Sequence, residues 1–211
     1  MLKMLKNLWS KIMGKRKPVP PPPPSSAYFE DKFNTGVLNT NNWIVSNWNA
    51  PMGGVFRPNM VSMNQGLLGL KLSQIKNPDG SILSTGGEIA YKKLCGYGTY
   101  EWVFRASSSA QTPAAMGNSF SGSVSGCFNY NSGSMTELDF EVEGCRPTLI
   151  QCTTWKGESN PNENSQINNF VPLDAMFHTY KYVWSVGKVE YYFDGKLIAT
   201  GSADNSIIIH D

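Results

Sequence analysis

The sequence predicts an all-β sandwich, and three features of the chain support that fold class. Its 211 residues include 20 glycines, 12% of all residues are aromatic, and helical periodicity is rare after the first twenty positions. Short alternating runs recur, as in residues 66–72 and 98–104, with a turn at residues 77–80 between them. Such spacing is typical of β-sandwiches. The third feature is the strict alternation of acidic and apolar residues in residues 136–144.

The first 26 residues differ in composition from the rest of the chain. Residues 1–17 contain six basic residues and no acidic one, and their large apolar residues recur at helical spacing. This pattern predicts a basic amphipathic helix. The proline-rich residues 18–26 predict an extended linker. Two roles stay open for the helix: contact with a membrane surface or a protein partner, and a solvated extension without a partner.

Residues 27–211 are predicted to form one domain. About 185 residues suffice for a sizeable core, and no internal repeat is visible. These residues contain 12 of the 18 basic and all 16 acidic residues, so their charge gives no support for nucleic-acid binding. Lysines interrupt the apolar residues near the start, so no secretory signal is recognised, and no transmembrane span is found. We expect a monomer.

The acidic segment, residues 136–144, has the pattern of a β-strand with two different faces. Because successive side chains of a strand point to opposite faces, Leu138, Phe140 and Val142 can enter a core. The carboxylates on the opposite face are Glu137, Asp139, Glu141 and Glu143. Neighbouring acids on that face lie roughly 7 Å apart, and at an effective dielectric of about 20 each unscreened contact costs on the order of 2 kcal/mol. Such crowding suggests a functional reason.

Paired carboxylates supply both groups that hydrolysis of a glycosidic bond needs. One is the nucleophile, the other protonates the leaving oxygen, and in retaining enzymes the two carboxyl groups lie about 5 to 5.5 Å apart. Glu137 and Glu141 can approach each other on a concave sheet, although their Cα atoms are roughly 13 Å apart along the strand. Asp139 between them can hold their protonation states apart. Two alternatives stay open, a solvated outer strand face and a calcium site, and the second ranks lower because calcium ligands usually come from a folded loop.

Several other segments occur in the order found in a known family. They are Gly86-Gly87-Glu88, residues 97–106, residues 125–130, residues 177–184, and residues 189–195 with a terminal Asp-Gly pair. Together with the acidic segment they resemble the strands of glycoside hydrolase family 16, which includes bacterial lichenases, laminarinases and plant xyloglucan transferases. The resemblance covers roughly residues 28–205. It implies a concanavalin-like jelly-roll β-sandwich of two curved antiparallel sheets.

The resemblance also implies roles for the acids. Glu137 is the expected nucleophile, Asp139 its modulating partner, and Glu141 the general acid/base of a double displacement. The unbulged E-x-D-x-E spacing accompanies lichenases and some transglycosylases in the family. We therefore expect a retaining endo-glycosidase that hydrolyses β-glucan, with mixed-linkage β-1,3-1,4-glucan favoured over β-1,3-glucan. The alternatives are a transglycosylase on cell-wall glucan and a non-catalytic carbohydrate-binding surface protein, and the family suggests an extracellular or cell-surface location.

Five residues are candidates for contact with the polysaccharide substrate. Sugar rings stack on aromatic faces, and their hydroxyl groups need polar partners. The candidates, one matched by the resemblance and four by their strand positions, are Glu88, Phe128, Tyr130, Thr153 and Trp155. Burial in the core is the alternative for each aromatic ring. Trp184 lies in an apolar run and is predicted to be a core residue, while His178 either orients a loop or satisfies a strand-end carbonyl.

Departures from the family fall on expected substrate contacts. Lichenases have an arginine two residues after the glutamate matched by Glu88, where this chain has Ala90, and an asparagine where this chain has Met52. Glu143 adds a fourth acid to the face and is a candidate to alter the outer subsites. The reaction type is therefore better supported than the substrate. No cofactor is expected, no metal site is recognised, and the sequence does not indicate a structural calcium ion.

The four cysteines, Cys95, Cys127, Cys145 and Cys152, lack the spacing of a zinc site. If Phe128 and Trp155 face the cleft, strand alternation turns Cys127 and Cys152 toward the core. We therefore expect buried thiols at these two positions. A disulfide stays open.

The end of the sequence differs from the family pattern. After the Asp-Gly hairpin, the resemblance implies two further strands, the first lining the cleft and the second closing the sandwich, whereas the sequence ends with residues 207–211. A sandwich without them exposes unpaired strand edges and uncovered core. The expectation from this comparison is a C-terminally incomplete gene product that is poorly soluble and weakly active alone.

Overall fold

The computed structural model describes residues 28–49, 54–93, 95–109, 120–131, 136–155 and 176–201, and the backbone of residues 161–168. These residues form sixteen strands and one 3-10 turn at Pro58–Met60, without an α-helix. Accordingly, no helix in the described ranges is long and apolar enough to cross a membrane. The all-β fold class is confirmed. The basic segment, the proline-rich linker and residues 202–211 lie outside the described residues, so the expectations about them stay predictions.

The chain divides into two compact units, and the described residues 28–93 belong to the first. A four-stranded sheet has the order β2-β3-β7-β6, with β3 parallel to β7, and two further pairs are β1-β8 and β4-β5. Gln65 and Gly66 join β4 to β5 with φ values of 51° and 73°, the backbone of a tight hairpin turn. The strands of this unit are β1 (Trp43–Val45), β2 (Trp48–Asn49), β3 (Gly54–Phe56), β4 (Val61–Asn64), β5 (Leu67–Leu70), β6 (Leu72–Lys76), β7 (Ile82–Gly86) and β8 (Ile89–Tyr91).

The described residues 95–201 belong to the second unit, which contains two four-stranded antiparallel sheets. The orders are β10-β11-β12-β13 in one sheet and β16-β15-β14-β9 in the other. The first sheet contains the acidic segment as its second strand, and we call it the acidic sheet. The strands of this unit are β9 (Gly98–Phe104), β10 (Val124–Asn131), β11 (Thr136–Glu143), β12 (Leu149–Trp155), β13 (Pro161–Asn168), β14 (His178–Ser185), β15 (Lys188–Phe193) and β16 (Lys196–Gly201).

Aromatic residues from both sheets of the second unit form its core. The inner face of β11 contributes Leu138, Phe140 and Val142, all essentially without solvent exposure. Phe140 meets Tyr180 and Tyr191 of the other sheet edge to face, with ring centroids 5.5 and 5.1 Å apart. Alternation on β11 therefore places its apolar face inward, as predicted. Trp184, on the inner face of β14, is also buried in this core, which confirms its assignment.

Cys127 and Cys152 are buried on either side of β11, as strand alternation predicts. Both pair in register with Phe140, one from β10 and the other from β12. Two strand spacings place their Cα atoms roughly 10 Å apart, beyond the reach of a disulfide. Among the described residues no disulfide is present, and both positions are buried thiols.

The Asp-Gly pair closes the β15-β16 hairpin. Asp194 and Gly195 have φ values of 47° and 79°, the left-handed conformations that a two-residue hairpin turn requires. Asp194 Oδ1 accepts the backbone N–H of Thr179 at 2.9 Å, and Oδ2 pairs with His178 Nδ1 at 2.8 Å. Partial burial tends to raise the pKa of Asp194, but these two hydrogen bonds hold it below its ordinary value. His178 thus contacts a turn carboxylate, which agrees with a role in orienting a loop.

Candidate active site

The four acids of β11 share the face opposite the core, and two of them are deeply buried. Asp139 is 1% exposed and Glu137 is 8% exposed, while Glu141 and Glu143 are partly buried. Ordinary surface carboxylates stay in water because removal of an ionised group from water is costly. The burial of Glu137 and Asp139 therefore disfavours the alternative that this is a solvated outer strand face.

The strands on either side bring aromatic and hydroxyl side chains to the same face. Tyr130 of β10 and Trp155 of β12 both pair in register with Glu137. Phe128 and Thr153 pair with Asp139 from the same two strands. Because residues paired across antiparallel strands share a face, four of the five sequence candidates for substrate contact surround the acids. Phe128 is 41% exposed, so its ring is accessible for stacking.

The neighbours of Glu141 differ from those of the other acids. On β10 its register partner is Gly126, where an added Cβ would make only ordinary contacts of 3.7 and 3.8 Å. On β12 its partner is Gln151, which is buried. The missing side chain on one side leaves space beside Glu141, and an amide lies on the other.

Trp155 is bound directly to the central acid. Its Nε1 donates a hydrogen bond of 2.9 Å to Asp139 Oδ2, and the residue is only 5% exposed. A β-bulge shifts the β12-β13 register between Thr154 and Trp155. Bulges bend a strand and re-aim a side chain, often near active sites. The ring therefore orients Asp139, a contact that the sequence did not indicate, and its stacking on sugar stays a prediction.

Two tyrosines of the opposite sheet hold the strands that flank β11. Tyr182 of β14 donates its hydroxyl hydrogen to Asn129 Oδ1 on β10. Tyr191 of β15 donates to the backbone carbonyl of Thr153 on β12 at 2.8 Å. Burial raises the pKa of Tyr182 far above its ordinary value, so its hydroxyl stays protonated and remains a donor. These bonds cross the core and fix the sheet beneath the acids.

Hydrogen-bond donors on both carboxylate oxygens hold Glu143 at the end of β11. Gln151 Nε2 donates to its Oε1 at 2.9 Å, and Arg146 Nε donates to its Oε2 at 3.0 Å. Burial tends to raise the pKa of Glu143, but hydrogen bonds from Arg146, Gln151 and Cys145 hold it below its ordinary value. Sequence reasoning named neither Gln151 nor Arg146 as a site residue. Strand alternation from Trp155 is enough to place Gln151 on this face, whereas no sequence signal marks Arg146.

Glu88, the remaining candidate, belongs to the first compact unit. The Ser46 hydroxyl donates to Glu88 Oε1, and Trp48 Nε1 lies 3.5 Å from the same oxygen. These donors orient the carboxylate within its own unit. Its contact with substrate stays a prediction.

Among the residues that the structure describes, no group of three or more carboxylate, thiol or imidazole side chains could hold a metal ion. The expectation that no cofactor is needed stays a prediction.

The family model described as Glycosyl hydrolases family 16 matches residues 50–208 of the chain. A beta-glucanase of Acetivibrio thermocellus is 28% identical over 173 residues, which cover 78% of this chain and 47% of that protein. The endo-1,3-1,4-beta-glycanase ExoK of Rhizobium meliloti (strain 1021) is 32% identical over 181 residues, 81% of this chain and 60% of the relative. The chain thus spans about half to three fifths of the length of these curated relatives.

A solved structure supports the fold. A prokaryotic beta-1,3-1,4-glucanase (lichenase) derived from a mouse hindgut metagenome has a TM-score of 0.69 and 19% identity, over 85% of this chain and 80% of that chain. At that identity the likeness establishes the jelly-roll fold alone. The family match, however, extends over most of the sequence and includes all four acids of β11. The chain therefore belongs to glycosyl hydrolases family 16.

Proposed function

We propose that this chain is a retaining endo-β-glucanase that hydrolyses mixed-linkage β-1,3-1,4-glucan by double displacement. The observation that carries the proposal is the acid face of β11, where Glu137 and Asp139 are buried among cross-strand aromatic neighbours. Family membership supports the reaction class. The names of two relatives, a beta-glucanase and an endo-1,3-1,4-beta-glycanase, support the substrate.

In the first half of the proposed reaction, Glu137 attacks the anomeric carbon and Glu141 gives its proton to the leaving oxygen. The carbon–oxygen bond to the leaving sugar breaks as the ester bond to Glu137 forms. In the second half, Glu141 removes a proton from water, and the water oxygen displaces Glu137 from the sugar. Two inversions at the same carbon give net retention.

The remaining residues of the face position these groups and the sugar. Trp155 holds the Asp139 carboxylate between the two glutamates through its N–H donor. The accessible ring of Phe128 suits stacking against a sugar face. Gly126 leaves space opposite Glu141, where the leaving sugar needs access to the proton donor.

The first test measures reducing-end release from separate mixed-linkage, β-1,3-linked, β-1,4-linked and xyloglucan polymers. We expect the highest rate on the mixed-linkage polymer. Glu141→Ala should lower turnover by about 10²- to 10⁴-fold, the usual contribution of a general acid, and Glu137→Ala by at least as much. Asp139→Asn should lower turnover by a smaller factor. Near wild-type rates for either alanine variant would contradict the assignment of roles.

Rescue with azide separates the two roles. In Glu137→Ala, azide can attack the anomeric carbon directly, so the sugar azide should form with inverted configuration. In Glu141→Ala, azide attacks the anomeric carbon of the ester on Glu137 and releases the Glu137 carboxylate. The sugar azide should therefore form with retained configuration. Wild-type protein that binds glucan without releasing reducing ends would indicate a carbohydrate-binding protein, and transfer to added oligosaccharide in preference to water would indicate a transglycosylase.

A further inference from the structure

The short connection between β11 and β12 is held in a defined shape. The N–H of Arg146 donates to the carbonyl of Glu143, and the N–H of Leu149 donates to the carbonyl of Arg146, each at 2.9 Å. Gly144, which follows Glu143, also donates its N–H to the Ser123 carbonyl at 2.9 Å. These bonds fix the backbone on which Arg146 is mounted, so its side chain approaches Glu143 from a constrained position.

Arg146 and Glu143 form a two-point ion pair. Both Nε and Nη2 of Arg146 contact Glu143 Oε2, at 3.0 and 2.8 Å. The Sγ of Cys145 lies 3.5 Å from the same oxygen. Two guanidinium nitrogens on one oxygen hold Glu143 Oε2 in place, and Gln151 Nε2 holds Oε1. Because the pKa of Glu143 is below its ordinary value, the carboxylate is ionised at neutral pH and acts only as an acceptor.

An ionised acceptor dictates which end of the Gln151 amide faces it. Glu143 Oε1 accepts Gln151 Nε2 at 2.9 Å, whereas the amide oxygen would meet repulsion there. In a planar amide the oxygen lies on the opposite side of Cδ from the nitrogen, so Gln151 Oε1 is directed away from Glu143. Gln151 is 8% exposed and is the register partner of Glu141, so the oxygen has little freedom to leave this rung of the sheet.

Strand register puts Gln151 beside Glu141, and a carbonyl oxygen in that position favours the form of Glu141 that the first step needs. A carbonyl oxygen accepts a hydrogen bond from a protonated carboxyl group and repels an ionised one, whereas an amide N–H would do the reverse. We propose that the Glu143–Arg146 pair is a positioning device which, through Gln151, keeps Glu141 in its proton-donating form. This inference rests on the proposed function, because it assigns Glu141 the role of general acid.

Among the residues that the structure describes, the neighbours of Glu141 on the three strands can be named from the register. On β11 the charged neighbours of the same face are Asp139 and Glu143. On β10 the opposite residue is Gly126, with Phe128 and Val124 diagonal to it, and none of them titrates. On β12 the opposite residue is Gln151, and Arg146 is the cation of the connection. Because Arg146 neutralises Glu143, removal of both residues together leaves the net charge near Glu141 unchanged.

That equality gives a test in which charge is held constant. The variant carries Glu143→Leu and Arg146→Leu together, and its kcat and kcat/KM are measured against pH on the best wild-type glucan. We expect the basic limb of the profile to move down by about half a pH unit, kcat on that limb to fall by up to about threefold, and KM to change less than twofold. In a Gln151→Leu background, the same two changes should have no further effect.

A matched control removes a remote ion pair. Lys188 and Glu190 lie 2.7 Å apart on β15 of the other sheet, and Lys188→Leu with Glu190→Leu should leave kcat and the pH profile unchanged. If the leucine variant does not fold, Glu143→Met with Arg146→Met keeps long unbranched side chains and the net charge while it removes the acceptor of the Gln151 N–H, and the same shift is expected.

The outcomes separate this inference from the proposed function. An active wild type whose pH profile survives removal of the pair would overturn the positioning role alone. An undiminished effect of the pair in the Gln151→Leu background would overturn the part assigned to the amide. A wild type that cleaves no glucan would overturn both proposals.

Discussion

Asp139 is the residue around which the candidate site is organised. It is the most buried of the four acids, and its Oδ2 accepts the N–H of Trp155. A buried carboxylate that loses a donor suffers much of its desolvation cost, about 1 to 3 kcal/mol. Trp155 therefore contributes to stability as well as to the geometry of the site.

Trp155→Phe removes the N–H and keeps most of the ring. We expect the free energy of unfolding to fall by about 1 to 3 kcal/mol and kcat to fall with little change in KM, since most of the ring remains and Asp139 loses one hydrogen-bond donor. Thermal unfolding and steady-state kinetics measure both effects.

Trp184→Phe is the matched control for that variant. Trp184 is similarly buried, but among the described residues no acceptor contacts its Nε1, so Trp184→Phe should cost only the packing of the larger ring and less than Trp155→Phe. Equal effects of the two substitutions would contradict the role given to the Trp155–Asp139 bond.

Strand alternation predicted which residues share the acid face, but not which side chains touch. Phe128, Tyr130, Thr153 and Trp155 were placed correctly beside the acids, because the two-residue period of a strand depends only on local sequence. The bond from Trp155 to Asp139 depends also on cross-strand register, a bulge and rotamers. Register, bulge and rotamers depend on residues distant in sequence, such as Trp155 and Asp139, which are 16 positions apart. No local sequence pattern therefore indicates the bond.

The connection between β11 and β12 is the element that most depends on a single residue type. An added Cβ on Gly144 would overlap the carbonyl oxygen of Phe120, and backbone offers no flexible end that could move aside. The turn that leads into β10 therefore crosses the β11-β12 connection at a distance that only glycine permits.

Gly144→Ala should lower the free energy of unfolding by at least about 2 kcal/mol, the scale of overpacking in a closed site. Chemical denaturation measures the loss. Gly98→Ala is the control, because a Cβ there meets only the Gly96 carbonyl oxygen at 3.9 Å, and we expect no destabilisation. Equal stabilities for the two variants would show that the backbone around Phe120 moves away from position 144 at little cost.

The Asp194-Gly195 turn was predictable from its own sequence, whereas the constraint on Gly144 was not. Asp194-Gly195 was recognised because its own residues favour a left-handed backbone. Gly144 was not singled out, since its constraint comes from Phe120, 24 positions earlier, and nothing in the residues around Gly144 signals that approach.

For the molecule as a whole, composition and short alternating runs predicted the all-β class, and the family resemblance predicted the jelly roll. The order β16-β15-β14-β9 joins a strand from early in the unit to three from its end. Pairing over such sequence distances depends on how two apolar faces meet, which local patterns do not specify. The tyrosines of β14 and β15 that cross the core to β10 and β12 were likewise beyond local reasoning.

The two thiols beside β11 allow a measurement on the whole acidic sheet. Burial raises the pKa of both Cys127 and Cys152, and alkylating reagents need an accessible thiolate. We expect Cys145, which is exposed, to be alkylated quickly, and Cys127 and Cys152 slowly and with one common rate. Mass spectrometry of peptides after timed alkylation measures each rate. Widely different rates for the two buried thiols would show that the sheet opens strand by strand.

A common rate would have a practical consequence. Both sulfurs lie at the level of Phe140, directly beneath the acid face, so their alkylation requires the centre of that sheet to separate from its neighbours. The native chain thus contains an intrinsic chemical probe of opening at its candidate active site. With it, the protection conferred by a bound oligosaccharide can be read in unlabelled protein, even for variants that have lost all turnover.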